Sequence, residues 1–220
     1  MCASCSSWYG RHVAPYIVHA GCSAEAFTRM RQRMVPRADG VVVEVGFGSG
    51  LNLPYYDPAK VTQLVGVDPD ATMLSLAKRQ TGTPFAVECL QAGGEGIPLA
   101  DGIADTIVVA YALCTIPEPH AALAEARRIL KPGGRLVFLE HGQAESGWHK
   151  SLQNGLNRPW GALAGGCNLN RDPVRLVRDA GFDVREARHE RFPARFWLLG
   201  NHYSGVAFKA SSPTPGLAAT

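Results

Sequence analysis

Short apolar runs alternate with stretches of helical spacing along most of the chain. Val41–Val45, Gln63–Val67, Phe85–Leu90, Thr106–Ala110 and Arg135–Glu140 are rich in β-branched residues and read as strands. Between them the spacing predicts helices over Thr72–Gln80 and His120–Leu130. In the second, Leu123, Ala126, Ile129 and Leu130 share a face, and Pro132-Gly133-Gly134 stops it. A further helix is predicted over Asp172–Ala180, with Asn170 to Asp172 starting it, Pro173 in its first turn and Gly181 ending it. Two last runs, Phe182–Arg188 and Tyr203–Lys209, predict an antiparallel pair. Strands apolar on both faces that alternate with helices require a parallel sheet covered on each side, a doubly wound α/β architecture.

Two segments fall outside this alternation. One is the N-terminal stretch to Asp39, with a helix predicted over Ala24–Met34. The other is His141–Arg171, rich in Gly, Asn and Trp. Ligands of doubly wound folds bind outside the carboxyl ends of the strands. Both segments are placed to cover that edge.

Composition narrows the class. The 220 residues are 46% hydrophobic and 19% charged with a formal net charge of +3, which describes a globular domain without a nucleic-acid stripe. No apolar run reaches the roughly 18 residues of a membrane span, and Met1–Gly10 lacks the pattern of a secretory signal. Of the 6 cysteines, Cys89 and Cys114 sit in apolar runs, where a free thiol behaves as a small hydrophobe. Cys2-x-x-Cys5 has the spacing of half a zinc site, but the second closely spaced ligand pair is missing. No metal is therefore expected, and a reducing, cytoplasmic setting is. Ala210–Thr220 reads as a disordered tail.

The strongest local signal is Val41-Val-Val-Glu-Val-Gly46-Phe-Gly48-Ser-Gly50, a strand that runs into three alternating glycines. The dinucleotide fingerprint needs its third glycine at 51, where Leu51 stands. Glu44 beside the loop disfavours a diphosphate and suits a ligand with a positive group, such as an amino-acid ammonium. The next strand ends at Asp68, about twenty residues beyond Gly48, where an acid accepts ribose hydroxyls. The structural alternative is a tight turn, with Asp68 capping the following helix. A nucleoside joined to a zwitterion, without phosphates, describes S-adenosylmethionine.

With Glu44-Val-Gly-Phe-Gly-Ser-Gly50, Val67-Asp68, Asp105-Thr-Ile-Val-Val109 and Leu130-Lys-Pro-Gly-Gly134, the chain resembles class I S-adenosylmethionine-dependent methyltransferases from about Asp39 to Phe208. The resemblance implies a Rossmann-like sheet of seven strands, mostly parallel with an antiparallel last strand. It implies a helical cap over 1–38 and a methyltransferase domain over 39–209 with a substrate-covering insertion at 141–171. The expected cofactor residues are Glu44, Gly46, Gly48, Gly50, Asp68, Pro69, Gly94, Glu95 and Tyr111. Members often carry Gly-Asp-Ala after the third strand; here Gln91-Ala-Gly-Gly-Glu-Gly96 lacks that Asp, which leaves adenine to the backbone around Gly94 and Glu95.

Tyr111-Ala-Leu-Cys-Thr-Ile116, Phe138-Leu-Glu-His141, Trp148, Arg158-Pro-Trp160 and Gly165-Gly-Cys-Asn-Leu-Asn-Arg171 are similar to the methyltransferase-like thiol methyltransferases and their bacterial relatives. A small thiol or sulfide acceptor is the implied substrate. The alternatives are a phospholipid amine, a quinone-type ring carbon, or a non-catalytic cofactor sensor. His141 is the candidate base or orienter, against a plain packing role. Trp148, Asn168 and Arg171 are candidates for the acceptor pocket, while Cys167 reads as wall or core. The Arg-rich stretch Arg171–Arg195 interleaves acids and reads as a solvated face. Over Ala24–Met34, Phe27, Met30 and Met34 share one side with arginines around them. A lid over the cofactor is preferred there to a membrane contact. No nucleic acid or obligate protein partner is expected beside the small acceptor.

Overall fold

The structure, a computed structural model, describes residues 12–80, 82–145, 147–192 and 199–209. Cys2, Cys5 and the expected tail over 210–220 lie outside them. Chain order is α1 (Ala14–Cys22), α2 (Glu25–Met34), β1 (Gly40–Val45), β2 (Val61–Asp68), α3 (Ala71–Ala77), β3 (Ala86–Gln91), β4 (Ala104–Ala110), α4 (Pro119–Ile129), β5 (Leu130–His141), α5 (Gly147–Leu163), α6 (Pro173–Asp179), β6 (Phe182–Arg191) and β7 (Asn201–Lys209). The strands form one seven-stranded sheet in the order β3-β2-β1-β4-β5-β7-β6. β1 to β5 pair in parallel, and β7 lies antiparallel between β5 and β6. The doubly wound sheet with an antiparallel last strand is the architecture the alternating pattern predicts.

The central strands are apolar on both faces because each face has its own core. Val43, Val45, Ile107, Val109, Leu136 and Phe138 pack with Leu123, Ala126, Ile129 and Val177 of α4 and α6. Val42, Leu64, Val108, Val137 and Leu139 pack with Met30, Met34 and Leu74 of α2 and α3. Period-two alternation along one strand therefore feeds two layers. Helix starts follow the local chemistry. The Asp70 side chain accepts from Thr72 N and Met73 N at the start of α3. Asp172 accepts from Arg175 N at the start of α6, with Pro173 behind it and Gly181 at φ +80 beyond its end.

Three features depart from the periodicity reading. The insertion holds a helix of 17 residues, α5. Gly147, Gly155, Pro159 and two Asn make a poor helical signal, and Gln153 is its one buried residue among those described. Gln153 nevertheless ties α5 down, accepting from Ala144 N at 2.7 Å and donating to Gly142 O at 3.2 Å. In α2, Phe27, Met30 and Met34 are buried as expected, but Arg31 is buried with them at 4% exposure. The acids of β6 are not purely solvated: Glu186 and Glu190 pair with Arg37 and Arg33. Among the described residues no helix is long and apolar enough to cross a membrane.

At the strand-to-loop exit of β1, Phe47 lies flat over Gly66. A Cβ on Gly66 would sit 2.3 Å from the Phe47 ring, in a buried layer with no room to yield. Gly66→Ala is expected to lower unfolding stability by about 1–3 kcal/mol, the range for overpacking a tight core. Urea unfolding of the variant against the parent measures it.

Candidate active site

The glycine loop leaves β1 at the carboxyl edge of the sheet. Gly46 N and Phe47 N both donate to Val67 O, at 2.9 and 3.0 Å, which folds the loop back against β2. Gly46, Gly48 and Gly50 all have positive φ. At Gly46 a Cβ would lie 2.3 Å from Ala112 Cβ, so the loop after β4 touches this one directly. At Gly48 the nearest atom to a Cβ is Met73 Cε at 3.9 Å, which makes it the open face of the loop.

The two acids expected beside the loop flank it. Asp68 Oδ2 accepts from Gly48 N at 2.8 Å and Oδ1 accepts from Asp70 N at 2.9 Å. Asp68 thus braces the glycine turn, and the helix cap is Asp70. Each Asp68 oxygen keeps a lone pair for a further donor. Burial pushes the Asp68 carboxyl up, opposed by these backbone hydrogen bonds. Glu44 is 1% exposed; its oxygens accept from Asn52 Nδ2 at 2.7 Å and Tyr56 Oη at 2.5 Å. Asn52 in turn accepts from Arg31 Nε at 2.9 Å, and Arg31 donates to Cys22 O. Arg31, Asn52 and Tyr56 escaped the sequence reading because their spacing to Glu44 fits no motif. Tyr56 and Asn52 are near in sequence, yet only the loop's turn aims them back. The N-terminal segment also reaches the loop, through His19 Nδ1 to Ser49 Oγ at 2.6 Å.

Gly94 is buried against Val45, Ala122 and Ile116, while Glu95 is half-buried and accepts from Glu118 N. Pro69 is exposed beside Asp68. Tyr111 takes φ +55, the one non-glycine positive φ among the described residues, just where β4 ends. Its ring packs edge-on against Phe27 at 4.7 Å, and Arg31 lies 5.3 Å from its centroid. Its hydroxyl meets His202 Nδ1 at 3.1 Å. Burial, with the charge of His141, pushes His202 down to about 3, so this imidazole stays neutral.

Beyond Tyr111 the chain turns through Cys114, and that turn is held from several sides. Glu140 Oε1 accepts from Ala112 N at 2.7 Å and Leu113 N at 2.8 Å. Asn168 donates from its backbone and side chain to Cys114 O, at 2.7 and 3.0 Å. Arg171 Nη1 donates to Leu113 O and Ile116 O. Asn168 and Arg171 thus fix the loop through its carbonyls. Trp148 is 65% exposed and stacks on His149. His141 is buried at the end of β5, its Nε2 3.0 Å from Cys167 Sγ. The ligand atoms of Cys114, His141 and Cys167 all lie within 4.8 Å of one another. The sequence reading took these two cysteines separately, since 53 residues part them and no spacing rule joins them. Among the described residues, Glu140 Oε2 and His141 Nδ1 are buried and find no hydrogen-bond partner. A cleft of about 330 Å³ lined by Glu145, Lys150 and His189 includes none of the expected cofactor residues.

The methyltransferase domain family matches residues 43–138, the stretch from β1 through most of β5. The chain is 27% identical over 215 residues to thiol S-methyltransferase TMT1A of Homo sapiens, covering 93% of this chain and 87% of that protein. The chain is a methyltransferase. This methyltransferase is also 28% identical to phosphatidylethanolamine N-methyltransferase of Cereibacter sphaeroides over 148 residues, 66% of this chain and 72% of that one. Its fold matches geranyl diphosphate methyltransferase, solved in complex with S-adenosylmethionine, with a TM-score of 0.64 at 13% identity over 93% of this chain and 92% of that one. The loop suits that cofactor: its open face is at Gly48, acids flank it, and no cation waits for a phosphate on the loop itself.

Burial pushes the Glu44 carboxyl from its ordinary 4.5 up to about 7, against the hydrogen bonds from Tyr56 and Asn52 and the charge of Arg31. Between those two values the folded chain keeps a proton that the unfolded chain has released, so stability falls as pH rises through that window. Urea unfolding at pH 5 and pH 7.5 is expected to show the ligand-free parent losing about 2 kcal/mol more than Glu44→Gln does. Equal losses would remove Glu44 as the cause.

Proposed function

We propose that this methyltransferase delivers its methyl group to a small thiol or sulfide. The observation that carries the reading is the acceptor side of the site, where Cys114, His141 and Cys167 form a buried wall beside Tyr111. Such a wall is compact and soft, which suits a small sulfur nucleophile better than a lipid headgroup. The likeness to a human thiol S-methyltransferase over nearly the whole chain supports the same acceptor class.

When bound, S-adenosylmethionine supplies an electrophilic methyl group on a sulfonium. The net change is R–SH to R–S–CH3, with S-adenosylhomocysteine and one proton released. The chain's own contribution is placement and water exclusion. Gly46, Gly48 and Gly50 give the cofactor close backbone approach. The Glu44 carboxyl would meet its ammonium, and Asp68 would accept its ribose hydroxyls. Pro69, Gly94 and Glu95 would border adenine, and Tyr111 the methyl end. His141 orients the acceptor sulfur, whose ordinary pKa of about 8.5 needs only a modest push. Asn168 and Arg171 shape the pocket through the Cys114 loop. The exposed Trp148 takes no part in this reading.

A screen of sulfide, methanethiol, larger alkyl thiols and phosphatidylethanolamine vesicles, read by S-adenosylhomocysteine release, tests the acceptor class. Turnover is expected with the small thiols. Turnover with the lipid alone would replace this reading by a lipid amine methyltransferase, and binding without turnover on any acceptor would leave a cofactor sensor. Asp68→Ala is expected to weaken S-adenosylmethionine binding by about tenfold or more, since hydrogen bonds to a charged acceptor contribute about 1.5–3 kcal/mol each. Titration calorimetry reads this, and parental affinity would remove the ribose assignment.

A further inference from the structure

Three soft ligands meet at one buried point of this molecule from three separate elements. Cys114 comes from the loop after β4, His141 from the end of β5 and Cys167 from the loop after α5. His141 Nε2 is already 3.0 Å from Cys167 Sγ, and the three ligand atoms lie within 4.8 Å of each other. Tetrahedral zinc, with Zn–S near 2.3 Å and Zn–N near 2.0–2.1 Å, sets its ligand atoms about 3.6–3.8 Å apart. Shifts of a fraction of an ångström to about an ångström bring the trio to that spacing. Two thiolates and a neutral imidazole also balance the charge of a divalent cation. We propose that Cys114, His141 and Cys167 bind a thiophilic divalent cation, zinc, and leave its fourth position for the acceptor sulfur.

Three protein ligands and an open place are the arrangement of a catalytic zinc site, whereas structural sites are closed by a fourth side chain. No further Cys, His, Asp or Glu joins the trio among the described residues. Sulfur ligands select zinc or copper(I) over harder cations. The Cys114 loop is held rigid before any metal arrives, by Glu140 on its amides and by Asn168 and Arg171 on its carbonyls. Such bracing is what positions a metal ligand. Ala112, two residues before Cys114, touches Gly46, so the metal would lie next to the cofactor loop. An entering thiol R–SH would bind as R–S⁻, its proton leaving to water. His141 is then a ligand and not a base. The open position rests on the thiol reading above; the metal site itself does not.

The test uses the full chain, stripped with a chelator under a phosphine reductant and titrated with cobalt(II), then with zinc(II). About one cobalt per chain is expected, with an intense thiolate-to-cobalt band in the near ultraviolet that zinc removes. Cys114→Ser and Cys167→Ser should each weaken uptake by tenfold or more, while Cys89→Ser on β3 leaves it unchanged. S-adenosylmethionine binding, followed by calorimetry, shows that each variant is folded. Methanethiol should shift the cobalt spectrum of the parent. Folded parent protein that takes up no cobalt, or that oxidises to a Cys114–Cys167 disulfide instead, overturns the metal site. Uptake without a methanethiol shift overturns the open position. Uptake and a shift with no methylated thiol in the screen would sink the thiol methyltransferase reading and leave the site standing.

Discussion

A parallel sheet ends its strands at one edge, so the loops that leave β1 and β4 must pass side by side. In this protein they pass at contact distance. Gly46 stands against Ala112 so closely that a single added carbon would lie 2.3 Å from the alanine methyl. Glu140 on the next strand holds Ala112 and Leu113 by their amides. The glycine loop, the strained Tyr111 and the Cys114 turn all take their positions from that approach. Glycine at 46 is therefore fixed twice, by its positive φ and by the neighbour it would strike.

Around this contact the polar groups are arranged in two networks. One runs from Glu44 through Asn52 to Arg31 and ties the glycine loop to α2. The other runs from Asn168 and Arg171 to the carbonyls of the Cys114 turn and ties the insertion to β4. Burying charges such as Glu44 and Arg31 is costly unless each finds partners. Here Glu44 finds Asn52 and Tyr56 on the chain just after the glycine loop, and Arg31 of α2 finds Asn52 and the Cys22 carbonyl, so the same bonds that satisfy the buried charges tie the N-terminal segment to the loop. Asn168 and Arg171, expected in the acceptor pocket, hold the carbonyls of the Cys114 turn, and Arg31 lies buried at the centre of the first network.

Strand and helix alternation, the glycine loop and the start of α6 were all legible in the sequence, whereas the cap of α3 is Asp70 and not Asp68. They rest on local rules: period-two or helical spacing, turn chemistry and caps, each set by residues a few positions apart. The 17-residue helix α5 was not legible, because its weak formers hide the period and its docking depends on Gln153 finding Ala144 and Gly142.

What the sequence determined by itself is a doubly wound methyltransferase frame and a glycine loop at the carboxyl edge of its sheet. What only the tertiary structure decided is which side chains share a buried space. Cys114, His141 and Cys167 lie on three elements and are joined by no spacing, and Asn52 and Tyr56 reach Glu44 only because the loop turns back on itself. Local patterns follow from bonds along the chain, whereas such meetings depend on how separate elements end at the same edge.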